Sequence, residues 1–181
     1  FASEKNNLDI VYILLSNPKL EIGPYSFKNC TKLKTIEIPS SIKGIEESTF
    51  QNCKSLTEIS IPSTATYIGQ NAFNGCNSLT NIIIPSSVTT IQRNAFCFCQ
   101  SLKTIKFPSS VNLIDVYCFF SCLNLEDVSL PSSITELTDA TFYRCPKMKQ
   151  ITIPNSVIKI GRDVFYDCSS LTEITIPSSV T

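Results

Sequence analysis

Nine cysteines in 181 residues are the most reactive groups in this sequence, and their spacing decides what they can do. Seven of them, Cys30, Cys53, Cys76, Cys99, Cys122, Cys145 and Cys168, recur every 23 residues. Each is flanked at three-residue spacing by Phe and Leu, as in Phe73-x-x-Cys76-x-x-Leu79, with Met148 in the Leu place after Cys145, so its side chain is expected to point into a core. A buried free cysteine behaves as a small hydrophobe. Disulfides fit poorly, because parallel Cβ vectors on equivalent residues give bad torsions and a ladder of seven leaves one unpaired. Cys97 and Cys99 form the close pair, with Cys99 on the ladder and Cys97 expected to face outward. Cys118 stands where other units carry Ala72, Ala95, Thr49 or Thr141 and reads as a small-residue substitute. With no His anywhere in the chain, a complete zinc ligand set is hard to assemble around Cys97 and Cys99, and no metal or other cofactor is implied.

The same absence removes Ser-His-Asp and Cys-His catalysis. The five glycines form no phosphate-binding loop. Carboxylate pairs such as Glu46–Glu47 and Glu126–Asp127 lie among polar residues that would not raise a pKa for acid catalysis. No motif supports Ser-Lys chemistry, and the expectation is a non-enzyme. Asn29-Cys30-Thr31 fits an N-glycosylation sequon, and an inward Cys30 would turn Asn29 outward.

The elements that must position these residues follow from the same period. Phe27, Phe50, Phe73, Phe96, Phe119, Phe142 and Phe165 keep the 23-residue step, as do Pro39, Pro62, Pro85, Pro108, Pro131, Pro154 and Pro177. Within one unit, Leu79-x-x-Ile82-x-Ile84 alternates β-favouring residues, which marks a short strand with one buried face. The proline after it cannot donate a ladder hydrogen bond and ends the strand. Ser-Ser at 86–87, 109–110, 132–133 and 178–179 supplies hydroxyls for the bend. Phe-x-x-Cys-x-x-Leu suits a tight 3₁₀-like or irregular return. One coil cannot bury its apolar edge alone, whereas stacked coils bury a continuous core. The sequence therefore predicts a repeat solenoid of seven 23-residue coils, with short parallel strands on one face. At strand spacing it would be a rod about 35 Å long, Phe on Phe and Cys on Cys.

The unit Leu-x-x-Ile-x-Ile-Pro-x-x-Val-x-x-Ile-x-x-x-Ala-Phe-x-x-Cys-x-x-Leu resembles the BspA-like class of leucine-rich repeats, found in bacterial and protist surface proteins. The resemblance covers roughly 22–181. Before it, Ile10, Ile13 and Leu15 hold strand positions while Asn7 and Ser16 replace Cys and Pro, so residues 1–22 read as a degenerate first coil or cap. Residues 23–181 are the regular repeats of a single solenoid, 1–181, that starts without Met, stops inside a motif and reads as a piece of a longer protein. The resemblance implies adhesion or surface recognition, at the cell surface or after secretion. An intracellular scaffold is the alternative, and end-to-end self-association a third reading.

Lys plus Arg and Asp plus Glu both total 15, which argues against nucleic acid, since that affinity rests on a basic excess. The longest apolar stretch, Ile10 to Leu15, is too short to cross a bilayer. A protein or glycan partner is expected on outward residues, and two sets stand out. On the strand face lie Lys103, Lys106, Glu126, Asp127, Lys149 and Glu173. Lys103, Glu126 and Lys149 share one column, where opposite signs side by side would favour stacking register. In the position after the ladder Phe, polar Lys28, Gln51 and Asn74 give way to Cys97, Phe120, Tyr143 and Tyr166, with Phe98 one residue further along. These rings would form an interaction strip or lie flat and thicken the packing.

Overall fold

The computed structural model describes residues 21–181, which wind into a β-solenoid with a 23-residue coil. The expected degenerate coil or cap at 1–22 falls almost wholly outside the described residues. Nine short strands follow in order among the described residues: β1 (Tyr67–Ile68), β2 (Thr90–Ile91), β3 (Thr104–Lys106), β4 (Leu113–Ile114), β5 (Asp127–Ser129), β6 (Glu136–Leu137), β7 (Gln150–Thr152), β8 (Lys159–Ile160) and β9 (Glu173–Thr175). All pairings are parallel and join residues one coil apart, as in Ile105 with Val128 and Ile151 with Ile174.

These strands lie on two faces, not one. β3, β5, β7 and β9 are the Leu-x-x-Ile-x-Ile segments expected from the sequence, and the bridges Glu37–Ser60 and Ser60–Ile83 carry that ladder into earlier coils. β1, β2, β4, β6 and β8 form a second ladder after the proline bend, where no strand was expected. On both ladders backbone N–H groups bind the neighbouring coil, back from Thr57 to the Lys34 carbonyl (3.0 Å) and from Asn112 to that of Thr89 (2.9 Å), and forward from Ile45 to that of Tyr67 (3.1 Å).

The return between the faces is a run of tight turns. Cys76 donates its N–H to Phe73 and Leu79 to Cys76, each at 3.1 Å, the three-residue closure expected from the Phe-x-x-Cys-x-x-Leu spacing. Here the backbone bonds of the ladder phenylalanines across coils run forward. The N–H groups of Phe50, Phe73 and Phe96 donate forward to Ala72, Ala95 and Cys118 at 2.8, 2.8 and 3.0 Å. Two residues in each return take positive φ. One precedes the ladder Phe by two positions, from Tyr25 (φ 61°) to Asp163 (φ 55°), and the other follows it by two, from Asn29 (φ 63°) to Asp167 (φ 57°). Asn, Asp and Gly fill half of these places, as the left-handed region favours. Gly75 (φ 75°) needs its missing Cβ for a second reason, since a methyl there would collide with the Asn52 side chain.

Side chains fill the tube in register. Phe27, Phe50, Phe73, Phe96, Phe119, Phe142 and Phe165 form one parallel stack, with neighbouring ring centroids 5.4–6.0 Å apart. Leu56, Leu79, Leu102 and Leu125 are fully buried in their own column, which Met148 continues. The ladder cysteines are free and buried, and the six from Cys53 to Cys168 each reach back to a phenylalanine carbonyl of the preceding coil. Cys76 Sγ donates to Phe50 and Cys99 Sγ to Phe73, both at 3.2 Å, so the thiol satisfies a polar atom as well as filling space. The serine after the bend does similar work, with Ser87 Oγ on the Ala65 carbonyl (2.6 Å) and Ser110 Oγ on that of Val88 (2.7 Å).

One inward–outward assignment is corrected. Cys97 is 5 % exposed, not outward-facing. It precedes Phe98, whose ring leans on Phe120, and a small thiol set among larger rings is shielded from water. That burial pushes its pKa up to about 12.

Candidate functional site

The strand face presents Lys103, Lys106, Glu126, Asp127, Lys149 and Glu173 to solvent, as expected. Parallel register sets Thr104 beside Asp127, Lys106 beside Ser129, and Gln150 beside Glu173. Glu126 N–H donates to the Lys103 carbonyl at 2.9 Å, so the column of Lys103, Glu126 and Lys149 exists in the backbone. Its side chains, however, form no ion pair. Among the described residues the ion pairs are Lys159–Glu136 (2.6 Å), on the second ladder, and Arg144–Asp167 (3.3 Å), in the return. Both are exposed, so each contributes little stability. The charged strand face is therefore dispersed, with Lys103, Glu126 and Lys149 in one column but not joined as ion pairs.

The aromatic set is drawn together. Phe120 and Tyr143 stack with centroids 4.9 Å apart and planes 9° off parallel, and Tyr143 and Tyr166 stack at 4.6 Å and 13°. Phe98 meets Phe120 edge-on, at 5.5 Å and 74°. Tyr117 packs against Phe120 from the side at 6.0 Å, with the Arg93 guanidinium 5.5 Å from its ring centre. The strip runs over four successive coils, and its ends are the most open members: Phe98 is 42 % exposed and Tyr166 56 %. Both faces of Tyr143 are covered by neighbouring rings, so the middle of the strip offers ring edges and hydroxyls.

A groove of about 360 Å³ runs beside the strip, lined by Phe98, Gln100, Ser121, Leu123, Arg144, Pro146 and Asp167. Phe98, Ser121, Arg144 and Asp167 are the positive-φ residues of four consecutive coils, and Gln100, Leu123 and Pro146 lie two positions further along the chain. Of these only Phe98 was picked out from the sequence. The signal that would have found the rest is columnar: residues with no local motif become neighbours when read every 23 positions. Among the described residues no group of three His, Cys, Asp or Glu converges as a metal site, and no helix is long and apolar enough to cross a membrane.

A parallel β-solenoid with a Leu/Ile/Phe interior, one short strand per Leu-x-x-Ile-x-Ile motif and tight returns is a leucine-rich-repeat architecture. The chain belongs to the family described as BspA type leucine rich repeat region, which matches in six copies over residues 5–122 and 68–181. Three solved structures are similar. A leucine-rich repeat protein from Bacteroides ovatus is 34 % identical with a TM-score of 0.84, over 88 % of this chain and 42 % of that one. The T. pallidum leucine rich repeat protein is 28 % identical with a TM-score of 0.77, over 85 % of this chain and 72 % of that one. A leucine rich cell surface protein from Faecalibacterium prausnitzii is 34 % identical with a TM-score of 0.76, over 84 % of this chain and 41 % of that one. The match thus spans less than half of the Bacteroides and Faecalibacterium proteins. No curated protein matches significantly.

Proposed function

We propose that this chain is a non-enzymatic recognition module of a surface or secreted protein, binding a protein or glycan partner through the face that carries Phe98, Phe120, Tyr143 and Tyr166. One observation carries the reading. The column that holds Phe120, Tyr143 and Tyr166 holds Lys28, Gln51 and Asn74 in earlier coils, and those coils close with the same hydrogen bonds, Asn29 N–H to Gln51 and Asn52 N–H to Asn74 at 2.8 and 2.7 Å. Aromatic rings are therefore not needed there to build the solenoid. A contiguous exposed aromatic surface that the fold does not require is the usual mark of an interaction site.

Surface placement is supported by the likeness to the Faecalibacterium cell surface protein. The unpaired cysteines do not oppose it, because burial keeps the ladder thiols protonated and shielded from oxidants. The test has two parts. Antibody labelling of intact cells should detect the full-length protein. Pull-down with this segment should recover a partner that is lost when Phe98, Phe120, Tyr143 and Tyr166 are all changed to Ser with the circular dichroism unchanged. Absence of surface label would count against the location, and a partner retained by the variant would move the site to the strand face.

A further inference from the structure

The groove beside Phe98 has two features the solenoid does not need. Phe98 sits at φ 58°, in a position where other coils place Asn29, Asn52, Gly75, Ser121, Arg144 and Asp167, none of them aromatic. A bulky side chain is held there against a local backbone penalty. The ring meets Phe120 edge-on, at 74°, and remains 42 % exposed beside the groove. The second feature is the lining. Arg144 Nε and Asp167 Oδ2 lie 3.3 Å apart, and Gln100 and Ser121 add neutral donors and acceptors, so the groove carries one cation, one anion and no net charge. An anionic ligand would meet the Asp167 carboxylate and a cationic one the Arg144 guanidinium.

The backbone at the Phe98 end of the groove is engaged within the solenoid. Phe98 N–H is bound to the Phe120 carbonyl (2.8 Å), Gln100 N–H to that of Phe98 (2.9 Å), and the Gln100 carbonyl takes the Asn124 amide (2.7 Å). Strand addition against Phe98 and Gln100 would have to displace these bonds. What remains is a single ring flanked by planar polar groups, in a volume at the small end of ligand sites.

We propose that this groove binds a neutral pyranose glycan, its C–H face on the Phe98 ring and its hydroxyls on Gln100, Arg144 and Asp167. The guanidinium donates to hydroxyl oxygens, and the carboxylate and the amide oxygen accept hydroxyl protons. The proposal rests on the recognition-module reading and supplies the ligand class for one end of that surface.

The test is saturation-transfer NMR and calorimetry of the segment with immobilisation-free, neutral gluco-, galacto- and manno-configured oligosaccharides. Three variants run beside it: Phe98→Asn, Arg144→Ala, and Asn112→Ala on the second ladder as control. Asn suits the left-handed backbone, so Phe98→Asn keeps the fold. At least one glycan should bind, about tenfold more weakly to Phe98→Asn and to Arg144→Ala and unchanged to Asn112→Ala. Equal binding by the wild type and Phe98→Asn overturns the site, and so does binding by none of the sugars. If no sugar binds but a purified protein partner is lost on changing Tyr143 and Tyr166, the glycan proposal falls and the recognition module stands. If neither binds, both fall.

Discussion

Replacing Phe96 with Ala tests the phenylalanine stack where it is most continuous. Phe96 is fully buried, and its ring lies between those of Phe73 and Phe119, 5.4 Å from each and within 5° and 7° of parallel. Truncation removes a buried aromatic and opens a cavity, which costs about 3–5 kcal/mol. Two ring–ring contacts are lost as well, and such pairs are worth about 0.5–1.5 kcal/mol each beyond their area. The neighbours cannot close the gap, because Phe96 N–H and the Cys99 and Cys122 ladder bonds hold the adjacent coils at fixed spacing. Coils interact with nearest neighbours, so the loss falls at the middle of the array and divides it. Urea unfolding followed by circular dichroism should show a lower midpoint or a split transition, while Thr104→Ala shifts it little. A change below about 1 kcal/mol in Phe96→Ala would refute the view that the stack carries coil-to-coil coupling.

Other expectations follow from the same geometry. Burial pushes the Cys53 and Cys97 thiols up to about 12 from 9.0, and those of Cys76, Cys118 and Cys122 well above 9.0. Their folded pKa values exceed the unfolded ones, so this stability is present below pH 9 and lost as pH rises towards 12. The urea midpoint should fall above pH 9 with thiolate absorbance appearing only on unfolding, and thiolate signal in a still-folded sample at pH 9 would contradict the burial argument. Arg144 has φ 58° and an exposed ion pair, so Arg144→Asn should leave stability unchanged or raise it by up to about 1 kcal/mol in thermal melts. A loss of that size would mean the ion pair outweighs the backbone. A Cβ on Gly44 would run into the Tyr67 ring, whose hydroxyl binds the Glu46 carboxylate and is thereby held up to about 12. Gly44→Ala should cost about 1–3 kcal/mol and bring Tyr67 back towards 10.0 in a tyrosinate titration; an unmoved titration would show that the ring does not depend on that gap.

The repeat was legible because inward residues are chemically uniform: Phe73, Cys76, Leu79 and Ile82 announce a buried column each time they recur. The second strand ladder was not, because segments such as Tyr67–Ile68 and Glu136–Leu137 are two residues long and alternate nothing. The positive-φ columns left a scattered trace in Asn29, Asn52, Gly75, Asn71 and Asn94, which gains meaning only once the coil is built. Cys97 misled because Cys99 already holds the inward ladder place, whereas the packing around Cys97 leaves it 5 % exposed. The absence of ion pairs in the charge column has a physical reason too. Long, solvated side chains one coil apart gain little from meeting, so Lys103 and Glu126 sit side by side unpaired. The aromatic strip was readable as a list of rings, but its stacking, and the groove that Phe98 shares with Arg144 and Asp167, depend on columns from four coils.

The cross-coil bonds also govern how such a protein can change in length. Strand partners lie 23 residues apart, bend hydroxyls reach back 22, and thiols reach back 26. These three distances share one turn of the chain, so a single inserted residue anywhere in a coil would miss all of them for that turn at once. Substitution can wander freely over the outer columns, as the passage from Lys28 to Tyr166 shows, while growth and shortening proceed by duplication or loss of whole coils. A new outer surface can therefore be composed one column at a time on a scaffold whose internal measure never alters.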